Sequence, residues 1–204
     1  RDYIQGYVQS FEDALYADSA SGWRQRTHLD FMDRDAWVDY HLLCTLSMNA
    51  DGFIRSAYMM KDRRGRLVAG PVWDYDRALG GGDPRTLNPE VWAGGNGATE
   101  PWTYGWWGIL VRDPEFMQAW IDRWQKLRQR EFSSANLAAL IDAFAAQIGP
   151  EAAARDAARW PDNASRFRNG WQGEIDNLKS FVAQRSAWID SKFVATPTVT
   201  NTAG

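Results

Sequence analysis

An apolar segment that ends in two acidic residues constrains this chain more than any other feature of its sequence. Residues 68–80 read Val-Ala-Gly-Pro-Val-Trp-Asp-Tyr-Asp-Arg-Ala-Leu-Gly, so Asp74 and Asp76 close an apolar run just before a glycine-rich loop. In extended backbone, residues two apart point to the same side. Two convergent carboxylates repel each other unless a cation or a base lies nearby, and Mg²⁺ and Ca²⁺ prefer oxygen ligands. The segment therefore predicts either a metal site at a strand end or a turn with two solvated acids.

Helical periodicity dominates the rest of the chain. Apolar residues recur at helical spacing over six segments, and Asp33, Ser133 and Ser134 are residue types that cap helix N termini. Residues 57–61 and 66–69 instead read as two short strands that a tight turn joins into a hairpin. The sequence therefore predicts a mainly α-helical domain with one small β-hairpin that holds the acidic site. The predicted helices lie at about residues 2–17, 34–48, 113–129, 134–147, 150–159 and 169–193.

The composition restricts the classes of function. With 204 residues, of which 45% are hydrophobic, the chain is long enough for one domain with a core. The net charge of -3 offers no basic surface to a nucleic acid, and no apolar run is long enough to span a bilayer. The chain begins at Arg1 without a methionine, and residues 195–204 are rich in Thr. We therefore expect a piece of a longer protein that ends in a linker.

Tryptophan is unusually frequent, with 12 residues in the chain. Trp92, Trp102, Trp106 and Trp107 lie in or beside a Gly- and Pro-rich loop predicted over residues 79–105. Such clusters either pin a long loop to a core or offer flat apolar rings on which sugars stack. We favour core packing, and sugar binding is the alternative.

The single cysteine, Cys44, lies among leucines and cannot form an intramolecular disulfide. Its predicted role is that of a small buried hydrophobe. A nucleophilic thiol would instead need a base, and His41 is the candidate that lies close in sequence.

Acidic residues stand on both sides of the predicted hairpin. Asp51 precedes it, and Asp74 and Asp76 follow it, so the hairpin can bring these acids into one cleft. Magnesium-dependent phosphoryl transfer uses one aspartate to position or deprotonate the attacking hydroxyl and another to hold Mg²⁺ against the nucleotide phosphates. In protein kinases an acid loop, a hairpin and a metal-binding aspartate follow in this order. A glycosidase with paired carboxylates is the other enzyme class that uses such acids.

Two motifs carry a family resemblance. Residues 49–62 read Asn-Ala-Asp-Gly-Phe-Ile-Arg-Ser-Ala-Tyr-Met-Met-Lys-Asp, and residues 70–80 read Gly-Pro-Val-Trp-Asp-Tyr-Asp-Arg-Ala-Leu-Gly. Together they resemble the CotH family, the spore-coat protein H kinases, which have an atypical protein-kinase-like fold. The similarity runs over roughly residues 1–193. Less specific helical matches lie at residues 110–116, 123–124, 159–160 and 185–188.

The resemblance implies a fold, a reaction and a location. Residues 1–194 would form the helical C-terminal lobe of a kinase-like fold that transfers the ATP γ-phosphate to Ser or Thr of a partner protein. Asp51 would be the catalytic aspartate, Asp74 the ligand of Mg²⁺ or Mn²⁺, and Asp76 a second metal ligand. The family also implies a secreted or cell-surface bacterial protein, in which neighbouring domains would make any contact with carbohydrate or cell wall.

The sequence departs from the kinase pattern in two ways. Ser56 stands where a kinase has the asparagine for a second metal, and Asn49 is a candidate substitute whose other interpretation is a helix C-cap. In addition, no Gly-rich strand pair or strand lysine for the phosphates precedes Asp51, and Gly80, Gly81 and Gly82 come after the metal motif. We therefore expect the chain alone to bind nucleotide poorly and to be inactive.

Two other functions stay open at this point. A non-catalytic carbohydrate- or cell-wall-binding module of a secreted multidomain protein would explain Trp102, Trp106 and the Thr-rich tail. A glycosidase is less favoured, because it requires two carboxyl groups about 5–10 Å apart across a sugar-sized cleft.

Overall fold

Helices account for most of the part of the chain that the structure describes. The fold is given by a computed structural model, which describes residues 2–81, 83–95, 100–161 and 170–194. Gly82 and the predicted linker at 195–204 lie outside the described residues. The described helices are α1 (Asp2–Ala20), α2 (Arg34–Ser47), α3 (Gly105–Leu110), α4 (Pro114–Arg128), α5 (Ser134–Arg159) and α6 (Gly170–Asp190). Short 3-10 turns lie at Thr27–Asp30 and Pro84–Thr86.

The predicted hairpin is present and is attached to the start of α2. Strands β1 (Met59–Lys61) and β2 (Leu67–Ala69) pair antiparallel. Leu67 also bonds to the segment before α2, because its N–H donates to Phe31 O at 2.7 Å and its carbonyl accepts from Asp33 N at 2.9 Å. The mainly α-helical fold with one small hairpin is therefore confirmed.

The helix starts follow the capping residues of the sequence. Asp33 accepts a hydrogen bond from Ala36 N, and Ser133 accepts one from Asn136 N, as N-caps do. Gly149, with φ 74°, interrupts α5 just before Pro150, so the two segments predicted there join at a kink. The periodicity missed α3, because six residues cover too few turns to show a repeat.

The core lies around α2, which packs on α4, β2 and α6. Trp37, Trp120 and Trp124 are fully buried in it. Of the loop tryptophans, Trp107 is buried, and Trp92, Trp102 and Trp106 are partly buried against the same core cluster. Core packing of these side chains is therefore confirmed.

Candidate functional site

The loop after α2 holds Asp51 in a fixed turn. Helix α2 ends where Met48 takes the left-handed conformation, and the backbone then turns so that Asp51 O accepts from the N–H groups of residues 54, 55 and 56 at 2.9–3.1 Å. Tyr40 Oη reaches up from α2 and donates to Gly52 O at 2.6 Å. A Cβ at Gly52 would lie 2.9 Å from Cys44 Sγ, so glycine lets the turn pack closely on the helix.

Asn49 links the two acidic loops. Its Oδ1 accepts from Asp51 N at 3.3 Å, and its Nδ2 donates to Asp74 O at 3.3 Å. The C-cap of α2 is Met48 rather than Asn49, so the C-cap interpretation of Asn49 is wrong. Its side chain is buried and connects the backbone of the Asp51 loop to that of the Asp74 loop.

Asp74 contacts Ser56. In sequence, Asp51 and Ser56 precede the hairpin and Asp74 follows it. Ser56 is buried, and its Oγ donates to Asp74 Oδ2 at 3.0 Å. No hydrogen bond from the described residues reaches the other carboxylate oxygen of Asp74. Because Asp74 itself is exposed, this second oxygen is available to a ligand from solvent.

The backbone around Asp74 differs from the extended strand that the sequence predicted. Strand β2 ends at Ala69, and Pro71 has no N–H with which to extend the ladder. Asp74 has φ 65°, in the left-handed region that aspartate tolerates better than most residues. The expectation of an extended backbone over Asp74 and Asp76 is therefore wrong, and the argument that both side chains point to one side no longer holds. Asp76 is 70% exposed, and within the described residues its ion-pair partner is Arg77, at 4.0 Å.

Arg85 binds the Asp51 carboxylate, a contact that the sequence did not predict. Arg85 lies in the 3-10 turn within the predicted 79–105 loop, and its Nη1 and Nη2 donate to Asp51 Oδ1 and Oδ2 at 3.0 and 3.2 Å. Asp83 binds the other edge of the same guanidinium, with Nη2 to Oδ2 at 2.7 Å. Hydrogen bonds from Arg85 hold the pKa of Asp51 and the pKa of Asp83 below their usual value. The only sequence signal was the Asp-Pro pair at 83–84, which is typical of a turn start.

The lowered pKa values of Asp51 and Asp83 predict how stability depends on pH. A carboxyl group whose pKa is depressed in the folded state stabilises the fold above its unfolded pKa, near 3.9, and loses that contribution as pH falls through the folded pKa. We expect Arg85→Gln to lower the free energy of unfolding by about 2 kcal/mol at pH 7. The difference in free energy of unfolding between wild type and Arg85→Gln should shrink as pH falls from 5 to 2. Denaturant unfolding at each pH measures it. A difference that stays constant over this range would contradict the prediction.

A comparison with known protein families identifies the chain. The family described as CotH kinase protein matches residues 1–189. The chain belongs to this family. No curated protein and no solved structure matches it. The CotH resemblance of the two motifs is therefore confirmed, and family membership indicates a kinase-like activity.

In the part of the CotH chain that the structure describes, a metal ion would have few ligands from the protein. Within the described residues, no three side chains of His, Cys, Asp or Glu converge on a point where they would hold a metal ion. Mg²⁺ in nucleotide sites is commonly held by one or two carboxylates together with substrate phosphates and water, so a small ligand set is compatible with it. The free oxygen of Asp74 fits one such position, and Asp76 as a second ligand stays a prediction.

Cys44 and His41 of the CotH chain have structural roles. Cys44 is buried, which raises the pKa of its thiol to about 11, and its Sγ contacts Tyr75 Oη at 3.4 Å. His41 Nε2 donates to Pro101 O at 2.9 Å, while its Nδ1 accepts from Trp120 Nε1 at 3.0 Å. Burial lowers the pKa of His41 to about 4, so the ring is neutral at pH 7. The prediction of a buried Cys44 is confirmed, and no free ring nitrogen remains to activate it.

None of the helices in the described ranges combines the length and the hydropathy that crossing a membrane requires.

Proposed function

We propose that this chain is the helical C-terminal lobe of a CotH-family protein kinase that transfers the ATP γ-phosphate to Ser or Thr of a partner protein. The observation that carries the proposal is the connection between the two acidic loops: Asn49 bonds to both, and Ser56 bonds to Asp74. The loops of Asp51, the proposed acid for the acceptor hydroxyl, and of Asp74, the proposed acid for the metal, are thus joined by hydrogen bonds, which supports the positioning on which phosphoryl transfer depends.

In this proposal the two aspartates act on opposite sides of the transferred group. The acceptor hydroxyl oxygen forms a bond to the γ-phosphorus, the bond from that phosphorus to the bridging oxygen breaks, and ADP leaves. Asp51 accepts the hydroxyl proton. Asp74 would hold Mg²⁺ or Mn²⁺, which supplies positive charge against the phosphate oxygens when it is bound. Ser56 keeps one Asp74 oxygen oriented. Asn49 fixes the position of the Asp51 loop relative to the Asp74 loop.

On the two described strands, the single lysine is engaged with other parts of the protein. Lys61, on strand β1, donates to Tyr3 Oη at 3.2 Å and to Asp62 O at 2.6 Å, so its ammonium is engaged with α1 and the hairpin turn. That the isolated chain binds ATP poorly stays a prediction. We also propose a secreted or cell-surface location, on the basis of the family alone.

The carbohydrate-binding alternative has lost its main support. It was motivated by Trp102 and Trp106, which pack partly buried against the core. The Trp106 indole N–H is also engaged, because it donates to Glu12 Oε1 at 2.8 Å.

The proposed function predicts that phosphoryl transfer depends on Asp51. In the full-length protein, with Mg²⁺, labelled ATP and dephosphorylated casein as the acceptor, we expect Asp51→Asn to lower kcat about 100-fold, because a positioned base typically contributes at least that much. Mass spectrometry should find the label on Ser or Thr. Asp35→Asn is the matched control, since this helix-α2 carboxylate is 82% exposed, and it should leave the rate unchanged. Wild-type rates in Asp51→Asn, or no transfer to casein or to the protein itself by wild type, would refute the proposal.

A further inference from the structure

Arg85 binds Asp51 with both of its terminal nitrogens. The two bonds run in parallel, Nη1 to Oδ1 at 3.0 Å and Nη2 to Oδ2 at 3.2 Å. The fork is largely shielded from water, because the Arg85 and Asp51 side chains are 14% and 20% exposed. A bidentate pair of this kind fixes the plane of the carboxylate as well as its position.

The arginine is itself held rigidly. Arg85 Nε donates to Asp83 Oδ1 at 3.0 Å and to Oδ2 at 3.2 Å, and Arg85 Nη2 donates to Oδ2 at 2.7 Å. The backbone N–H of Arg85 also donates to Asp83 Oδ1, at 2.9 Å. Gly94 packs closely against the backbone of the same turn, where a Cβ would lie 1.7 Å from Arg85 O. Arg85 is therefore a fixed part of its turn, since its side chain and its backbone are both held.

The two bonds from Arg85 do not use all the hydrogen-bonding capacity of the Asp51 carboxylate. An ionised carboxylate has about four lone-pair positions, and Arg85 uses one on each oxygen. The Asp51 side chain is 20% exposed, so part of it stays accessible from solvent. Two oxygens held in a fixed plane then keep their remaining lone pairs at fixed positions relative to the guanidinium.

We propose that Arg85, anchored by Asp83, is a positioning residue that aims the Asp51 carboxylate at the acceptor hydroxyl. The inference rests on the proposed kinase function. It assigns Arg85 no contact with the nucleotide, so the residue acts through Asp51 alone.

The test is steady-state kinetics of the full-length protein with casein and Mg-ATP. We expect Arg85→Gln to lower kcat on the order of 10- to 100-fold, because small misplacements of a reacting group have costs of this size. The KM for ATP should change by less than about 3-fold. Arg85→Lys keeps the charge but loses the fork, and it should be intermediate. Thermal melting checks that each variant is folded, and Arg85→Lys replaces Arg85→Gln if the latter is not.

Arg123→Gln is the matched control, because it removes another two-point pair, with Asp39 on α2, away from the Asp51 loop. It should leave kcat unchanged. In an Asp51→Asn background, Arg85→Gln should cost less than about 3-fold, since residues that act as a unit are not additive. The inference would be overturned if the two substitutions were fully additive in the double variant. It would also be overturned if Arg85→Gln alone raised KM with a normal kcat, or kept kcat at or above the wild-type value. Loss of wild-type transfer, or full activity of Asp51→Asn, would instead refute the proposed function itself.

Discussion

Replacing Arg185 with methionine is expected to lower the free energy of unfolding by about 3 kcal/mol. The buried guanidinium donates Nε and Nη2 to Thr45 O at 3.1 and 2.7 Å, and Nη1 to the carbonyl oxygens of Pro89 and Val91. Methionine fills much of the same space but donates nothing, and each buried acceptor left without a partner costs about 1–3 kcal/mol. Thr45 O lies in the last turn of α2, where the helix dipole also favours a cation.

Denaturant unfolding at pH 7 measures this effect. Burial lowers the pKa of Arg185 to about 9, so the side chain is still charged at that pH. Gln184→Met is the matched control, because Gln184 is the exposed neighbour on α6, and its free energy of unfolding should stay within about 0.5 kcal/mol of wild type. If Arg185→Met were as stable as this control, the carbonyl oxygens would not depend on the guanidinium.

Arg185 also supports the candidate site from a distance. It joins the end of α2 to the loop at residues 89–91, and its guanidinium lies over the rings of Trp92 and Trp188 at 5.9 and 5.0 Å from their centroids. Asn49 and Asp51 follow directly from this end of α2. A loss of the Arg185 contacts is therefore expected to loosen the loop that carries Asp51 as well as the core.

The sequence was informative where a local pattern carries the structure. Amphipathic spacing and capping residues located the long helices, and Asp33 caps α2 where expected. The hairpin between Asp51 and Asp74 was also predicted, because two short strands joined by a tight turn have a recognisable local sequence pattern. Its presence, together with the order of the acids, was enough to predict that the two acidic loops share one region.

The parts that sequence reasoning missed depend on contacts that span long separations. Arg85 lies 34 residues from Asp51, and Arg185 lies 140 residues from Thr45, so no periodic or turn signal links either pair. The left-handed backbone at Asp74 was missed for another reason: a proline two residues after the strand ends the ladder, while the apolar run continues past it. Apolar composition alone therefore suggested extended backbone beyond Ala69, where β2 ends.

If the proposed function is right, Asp74→Asn is expected to lower phosphoryl transfer on the order of 1,000-fold, the largest effect on activity among the variants considered. The substitution keeps the size of the side chain, and the amide oxygen can still accept the hydrogen bond from Ser56 Oγ, which is 3.0 Å from Asp74 Oδ2. The negative charge is lost, and with it the attraction for the cation that would offset the charge of the phosphates. A folded but inactive protein is therefore the expected result, with an unchanged melting temperature.

Transfer from Mg-ATP to casein and calorimetric binding of Mg-ATP, both with the full-length protein, measure the effect. Asp76→Asn makes the same chemical change two residues away, at a side chain that is 70% exposed. We expect it to cost about 10-fold, as a second ligand that phosphates and water partly replace would. The two variants make the same chemical change at different positions. The ratio of their transfer rates therefore separates the main metal ligand from the auxiliary one. Equal rates for Asp74→Asn and wild type would remove Asp74 from the metal site, whereas equal losses in both variants would make Asp76 a ligand of the same rank.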